Sequence, residues 1–188
     1  MFKLICITNR KMCGDFLDRA GELYRSGIDV ILREKDLRET DYEILAKRVT
    51  DVCPDVILHT YTDAARRLGV KKIHLPFAMM KPNMNFEMVG VSVHSAEEAK
   101  AAEEMGADYV MAGHIFATDC KKGLAPRGIG FLREIVHSVS IPVYAVGGIT
   151  PANIEQVKGT GAKGACIMSG FMRCISVSGY IKKFNGIN

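Results

Sequence analysis

The side chains best able to move a proton or hold an anion in this 188-residue chain sit at the ends of short apolar runs. His114 closes the run Tyr109-Val110-Met111-Ala112-Gly113. With a reference pKa of about 6.5, an imidazole there can give or take a proton at neutral pH, which makes His114 the candidate acid/base. Gly147-Gly148 and Ser169-Gly170 close two later runs. Glycine lets an anion approach backbone N–H groups closely, so these pairs read as a phosphate cradle, and a side chain at Gly148 is expected to block the approach. The plainer alternative is that these glycines only turn the chain. Arg33 and Lys35, two apart, share one face of an extended chain and would put two cations beside the anion or on a solvated rim. Glu34, between them, faces the other way and is expected to pair locally. His59, His74 and His137 make weaker cases.

These groups need elements to place them. Val/Ile/Leu-rich runs at 3–8, 29–33, 55–59, 72–75, 88–94, 107–115, 142–146 and 164–168 lack strict alternation, as expected of parallel strands buried on both faces. Amphipathic segments at 15–25, 42–52, 64–68, 96–105, 131–136 and 152–158 read as helices. Ser95-Ala96-Glu97-Glu98 has the pattern of a capping box, and Thr150-Pro151 that of a cap followed by a first-turn proline. Gly106, Gly159 and Gly161 are placed to close helices. Segment 77–86 is a poor helix, so that connection should be short or irregular.

Strands alternating with helices give a closed barrel or an open doubly wound sheet. The count of eight strands and the absence of Gly-x-Gly-x-x-Gly after the first favour a compact α/β (β/α)₈ TIM barrel over residues 1–188 as one domain. In such a barrel the strand carboxyl ends form the active site, and the loops after strands seven and eight commonly hold phosphate. The charged, glycine-bounded stretch after strand six, 113–128, carries Thr118, Cys120 and Lys121 and is long enough to fold over the mouth as a lid.

Composition narrows the function class. A hydrophobic share of 48% and a charged share of 24% suit one globular core. No run reaches the roughly 18 apolar residues of a membrane span, and the apolar start is too short for a signal peptide, so a cytoplasmic protein without membrane partners is expected. The six cysteines form no C-x-x-C pair, which argues against a zinc site or a disulfide scaffold. A net charge of +4 fits an anionic small molecule, while the Lys/Arg stripe of a nucleic-acid binder is missing.

Several motifs are recognisable. Leu32-Arg33-Glu34-Lys35, Gly90-Val91-Ser92-Val93-His94-Ser95, Gly106-Ala107-Asp108-Tyr109-Val110 and Ala145-Val146-Gly147-Gly148-Ile149-Thr150-Pro151 resemble the thiamine phosphate synthase superfamily along nearly the whole chain. Within it, the loop Gly113-His114-Ile115-Phe116-Ala117-Thr118-Asp119-Cys120-Lys121-Lys122-Gly123 is similar to the TenI-type thiazole tautomerase branch. That resemblance implies an isomerase that aromatises a carboxythiazole phosphate through His114, with the phosphate on Gly147, Gly148, Ser169 and Gly170. Arg33, Thr118 and Lys121 would hold the carboxylate or developing charge. Lys35 would add electrostatic background, and Cys120 is a second proton carrier or, more simply, a packed thiol.

No metal or cofactor is implied on that reading, and the partner is a phosphorylated thiazole, with a homo-oligomer of two or more copies allowed. The synthase branch instead implies a transferase joining a pyrimidine pyrophosphate to thiazole phosphate. There the superfamily carries glutamine two positions before the arginine, Asn-Asp after strand three to help bind magnesium and pyrophosphate, and aspartate after strand four. Ile31, His59-Thr60 and Pro76-Phe77-Ala78-Met79 stand at those places. A third reading is a barrel that binds thiazole phosphate without turnover.

Overall fold

A computed structural model describes residues 2–121 and 123–184, apart from the side chain of Cys120. Eight parallel strands, each hydrogen-bonded to the next in chain order, close into a barrel: β1 (Lys3–Ile7), β2 (Asp29–Leu32), β3 (Ile57–His59), β4 (Lys72–Pro76), β5 (Met88–Val93), β6 (Tyr109–Gly113), β7 (Val143–Val146) and β8 (Gly164–Ile167). This is the expected (β/α)₈ architecture. The connecting helices are α1 (Phe16–Arg25), α2 (Glu39–Val52), α3 (Thr62–Arg67), α4 (Ala96–Glu104), α5 (Gly128–Ser138) and α6 (Ile154–Lys158), followed by α7 (Ser169–Arg173) and α8 (Val177–Ile181). No helix is long and apolar enough to cross a membrane among the described residues.

The apolar runs lack alternation because each strand buries both faces. In β1, Leu4 and Cys6 join the large layer packed under the helices, while Ile5 and Ile7 turn inward. Inside the barrel, Ile5, Ile7, Ile31, Ile57, Tyr109, Met111, Tyr144 and Cys166 form a second cluster. Two tyrosines dominate it, and glycines on neighbouring strands make room for them. Tyr109 pairs in register with Gly90 and Tyr144 with Gly164, and a Cβ at Gly90 would overlap the Tyr109 ring. The rings meet edge to face with centroids 5.2 Å apart.

Local signals explain most helix starts. Asp15 caps α1 by accepting from the Asp18 N–H (3.0 Å), and Ser95 caps α4 by accepting from the Glu98 N–H (3.1 Å). The Glu98 carboxylate accepts from the His94 N–H (2.6 Å), one residue before the cap, so only the serine half of the expected box is formed as written. Between β4 and β5 there is only a 3-10 turn, Phe77–Met79, and irregular chain, as segment 77–86 suggests.

Three details differ from expectation. Thr150-Pro151 does not open α6, which begins at Ile154. Instead Asn153 accepts from the Thr150 N–H (2.8 Å) and donates to the Gly148 carbonyl (2.9 Å), tying the loop after β7 to itself. Gly159 has a right-handed φ of −63°, so it ends α6 without the left-handed turn that Gly106 and Gly161 supply. The short helices α7 and α8 escape a periodicity reading because each spans five residues and contains a glycine.

Candidate functional site

At the carboxyl ends of the strands lies a cavity of about 500 Å³. Ile7, Ile31, Met111, Val146 and Cys166 give it an apolar floor, continuous with the inner core. Its walls carry His59, His74, Ser92 and His114, and its rim Arg33, Lys35, Thr118, Lys121 and Arg127. Gly147, Gly148 and Ser169 line the side formed by β7 and β8.

Eight candidate residues therefore share one site: Arg33, Lys35, His114, Thr118, Lys121, Gly147, Gly148 and Ser169. Gly170 does not line it; its α-carbon faces α8, where an added Cβ would overlap the Tyr180 ring. The side chain of Cys120 lies outside the described residues. Gly148 has a second constraint beside the expected one. A Cβ there would overlap the Ala117 carbonyl and come within 2.8 Å of Phe116, so the glycine admits the loop after β6 rather than only an anion.

That loop is held at both ends. The Ile115 and Phe116 N–H groups donate to Val146 and Gly147 carbonyls (2.9 and 3.0 Å), and the Arg127 and Gly128 N–H groups return to His114 and Ile115 (3.0 Å each). Arg127, absent from the sequence candidates, donates through Nη1 to the His94 carbonyl (2.7 Å) and stacks over Phe131. Its place depends on this loop closure, which no spacing rule encodes. His114 approaches the Leu124 carbonyl through Nε2 at 3.4 Å, a long contact.

His59 and His74 are more central than a reading of β4 as ending at Leu75 suggests. They stack with centroids 5.6 Å apart on neighbouring strands. His74 Nε2 lies 2.8 Å from Ser92 Oγ and Nδ1 lies 3.0 Å from the Tyr109 hydroxyl, so both ring nitrogens are engaged. The signal was register: with Ile73 and Leu75 facing the helices, His74 must face in. Burial first, then His74 and the nearby cations Arg33 and Lys35, pushes His59 down to about 2. Burial and Arg33 push His74 down to about 3. Both are neutral near pH 7 and act here as hydrogen-bonding groups. Tyr109, buried beside them, has its pKa raised and keeps its proton.

The rim is cationic. Partial burial and then the neighbouring charges of Arg33 and Lys121 lower the Lys35 pKa, so these three cations share one field. No Asp or Glu among the described residues lines the cavity. Glu34 pairs locally, as expected: its carboxylate accepts from the Thr8 hydroxyl (2.7 Å), the Arg10 N–H (3.0 Å) and the Arg10 guanidinium (3.0 Å).

After His59 the chain bends sharply at Thr60, which holds φ at 73° while its hydroxyl meets His59 Nδ1. A β-branched residue in the left-handed region is strained by roughly 1–2 kcal/mol. Asparagine tolerates that region and can keep a polar contact with the ring. Thr60→Asn is therefore expected to raise the unfolding free energy by roughly 0.5–1 kcal/mol in urea titrations. A destabilised variant would mean that the hydroxyl contact outweighs the strain.

A family model described as "Thiamine monophosphate synthase" matches residues 4–171. A "Putative thiamine-phosphate synthase 2" of Aquifex aeolicus is 35% identical over 182 residues, covering 90% of this chain and 97% of that protein. A thiamine-phosphate synthase of Fusobacterium nucleatum is 30% identical, covering 97% of each. Among solved structures, a thiamine phosphate pyrophosphorylase of Pyrococcus furiosus superposes with a TM-score of 0.83 at 28% identity, covering 97% of this chain and 93% of that one.

These relatives correct the isomerase expectation. Over almost the whole chain they bear the names of thiamine-phosphate synthases or of a thiamine phosphate pyrophosphorylase, a transferase class and not an isomerase. The loop around His114, with Ile31, His59-Thr60 and Pro76-Phe77-Ala78-Met79 at the places of synthase residues, points the other way; the names of relatives matched over nearly the whole chain outweigh these positions. The chain belongs to the thiamine monophosphate synthase family.

Proposed function

We propose that this chain is a transferase of the thiamine-phosphate synthase kind, joining a pyrimidine pyrophosphate to a thiazole phosphate at the barrel mouth. The observation that carries the reading is the cavity itself: an apolar floor under a rim of Arg33, Lys35, Lys121 and Arg127, in a chain whose full-length relatives bear that name. In the reaction the thiazole ring nitrogen supplies an electron pair to the pyrimidine methylene carbon. The C–N bond forms, the C–O bond to pyrophosphate breaks, and pyrophosphate leaves with that bond's electrons.

Negative charge builds on the leaving oxygen, and fixed cations stabilise it. Arg33, Lys35 and Lys121 are the residues we assign to the pyrophosphate. Gly147, Gly148 and Ser169 are assigned to the thiazole's phosphate, where backbone N–H groups and a hydroxyl can donate. His74 and Ser92, linked at 2.8 Å, would present a hydroxyl at a fixed angle to a ring lying on the floor.

Magnesium, which the synthase resemblance implies beside the pyrophosphate, does not fit the donors present. A hard cation takes oxygen ligands, carboxylates above all. The cavity offers imidazoles and a few hydroxyls, and among the described residues no group of His, Cys, Asp or Glu could hold a metal ion.

The test is direct: purified protein is mixed with the pyrimidine pyrophosphate and thiazole phosphate, and thiamine phosphate is sought by oxidation to its fluorescent thiochrome. Product at a rate proportional to enzyme supports the transferase. Calorimetric binding of thiazole phosphate with no product would replace it by a phosphate-binding barrel without turnover, a reading the carboxylate-free mouth also favours.

A further inference from the structure

The carboxylate-free mouth has a consequence for how an anion is bound. Around the cavity stand Arg33, Lys35, Lys121 and Arg127, and no Asp or Glu among the described residues lines it. Glu34 is the carboxylate adjacent to this rim in sequence, and it is 4% exposed and already engaged by Thr8 and Arg10. Asp119, in the loop over the mouth, does not line the cavity. Arg127 is braced by the His94 carbonyl and by Phe131. The side-chain oxygens that do line the cavity are the neutral hydroxyls of Ser92, Thr118, Thr150 and Ser169, and that of Ser92 meets the His74 ring.

We propose that this mouth binds a pyrophosphate group directly on Arg33, Lys35 and Lys121, so that magnesium competes with the protein for the anion instead of bridging the two. The inference rests on the transferase reading for its choice of ligand. A metal bridge needs an anionic oxygen on the protein to hold the far side of the ion. Lacking one, a magnesium–pyrophosphate complex brings a dication into a field of like charge and offers the protein a less negative ligand. Free pyrophosphate meets the cations undiluted, at short range in a partly desolvated site, where each contact is worth most. Partial burial first, then the like charges of Arg33 and Lys121, lower the Lys35 pKa, as close packing of these cations at the rim requires.

Isothermal titration with inorganic pyrophosphate, in EDTA and again in excess magnesium, separates the alternatives. Affinity is expected to be roughly tenfold higher in EDTA, and Lys35→Gln and Lys121→Gln should each weaken the EDTA-state affinity by about tenfold. Equal or tighter binding in magnesium overturns the direct mode and leaves the transferase reading standing. The same holds if neither lysine variant, with wild-type circular dichroism, changes the affinity. No binding under either condition overturns both the direct mode and the assignment of this rim to pyrophosphate. Product formation in the synthase assay is scored separately, so the two failures are told apart.

Discussion

Gly148→Ala is expected to destabilise the protein by roughly 2–5 kcal/mol, whereas Gly69→Ala should cost only about 1–2 kcal/mol. The two glycines make a matched pair. Gly69 has φ at 69° and Gly148 at 65°, so an alanine suffers the same backbone penalty at either place. A Cβ at Gly69 meets nothing within 4 Å. At Gly148 it meets the Ala117 carbonyl and the Phe116 backbone and side chain, atoms the chain can move only by lifting the loop after β6. The difference between the variants in urea denaturation thus isolates the loop contact. Because the same loop carries Thr118 and Lys121, Gly148→Ala should also weaken phosphate-ester binding. Equal losses at the two positions would show that the loop yields freely and that Gly148 matters only for its φ.

Acidification should destabilise the fold well above the range where carboxylates titrate. In the unfolded chain His59 and His74 regain an ordinary value near 6.5, while in the fold burial, reinforced by neighbouring charge, holds them at about 2 and about 3. As pH falls below 6.5 the unfolded chain takes up protons that the folded one refuses, so stability present at neutral pH drains away toward the folded values. Each histidine removes about 1.4 kcal/mol per pH unit, or roughly 3–4 kcal/mol for the pair between pH 7 and pH 5. Asp36, held below the usual carboxylate range by hydrogen bonds from Arg10 and Lys11, acts with the opposite charge but the same sign, and only below its ordinary value of 3.8. The interval from pH 7 to pH 5 therefore belongs to the histidines. His59→Asn and His74→Gln, which cannot titrate there, should flatten the dependence. A wild-type slope retained in the double variant would place the acid sensitivity elsewhere.

Much of this architecture is legible in the sequence because a parallel strand buried on both faces must be written in Val, Ile and Leu. All eight strands were located within a few residues, and their ends led to Arg33, Lys35, His114, Thr118, Lys121 and Ser169, which share one cavity. What escaped depends on contacts made across the chain. Arg127 reaches the rim through hydrogen bonds from residues 127 and 128 back to His114 and Ile115. Gly170, paired with Ser169 in the sequence, does not line the cavity and is packed against Tyr180. The choice between transferase and isomerase turns on similar evidence: the loop after β6 and the replaced synthase residues at Ile31, His59-Thr60 and Pro76–Met79 favour the isomerase branch, while full-length similarity favours the synthases.

The paired tyrosines below the cavity set the traffic of its ligands. Tyr109 and Tyr144 are 4% and 9% exposed and, with their isoleucine neighbours, stopper the barrel from within. Among the described residues the cavity lies at the carboxyl ends of the strands, beside the loop after β6. Under the proposed transfer reaction, a ring seated on that closed floor would have to enter before the compound that lies at the cationic rim, and pyrophosphate released there would depart before the larger product.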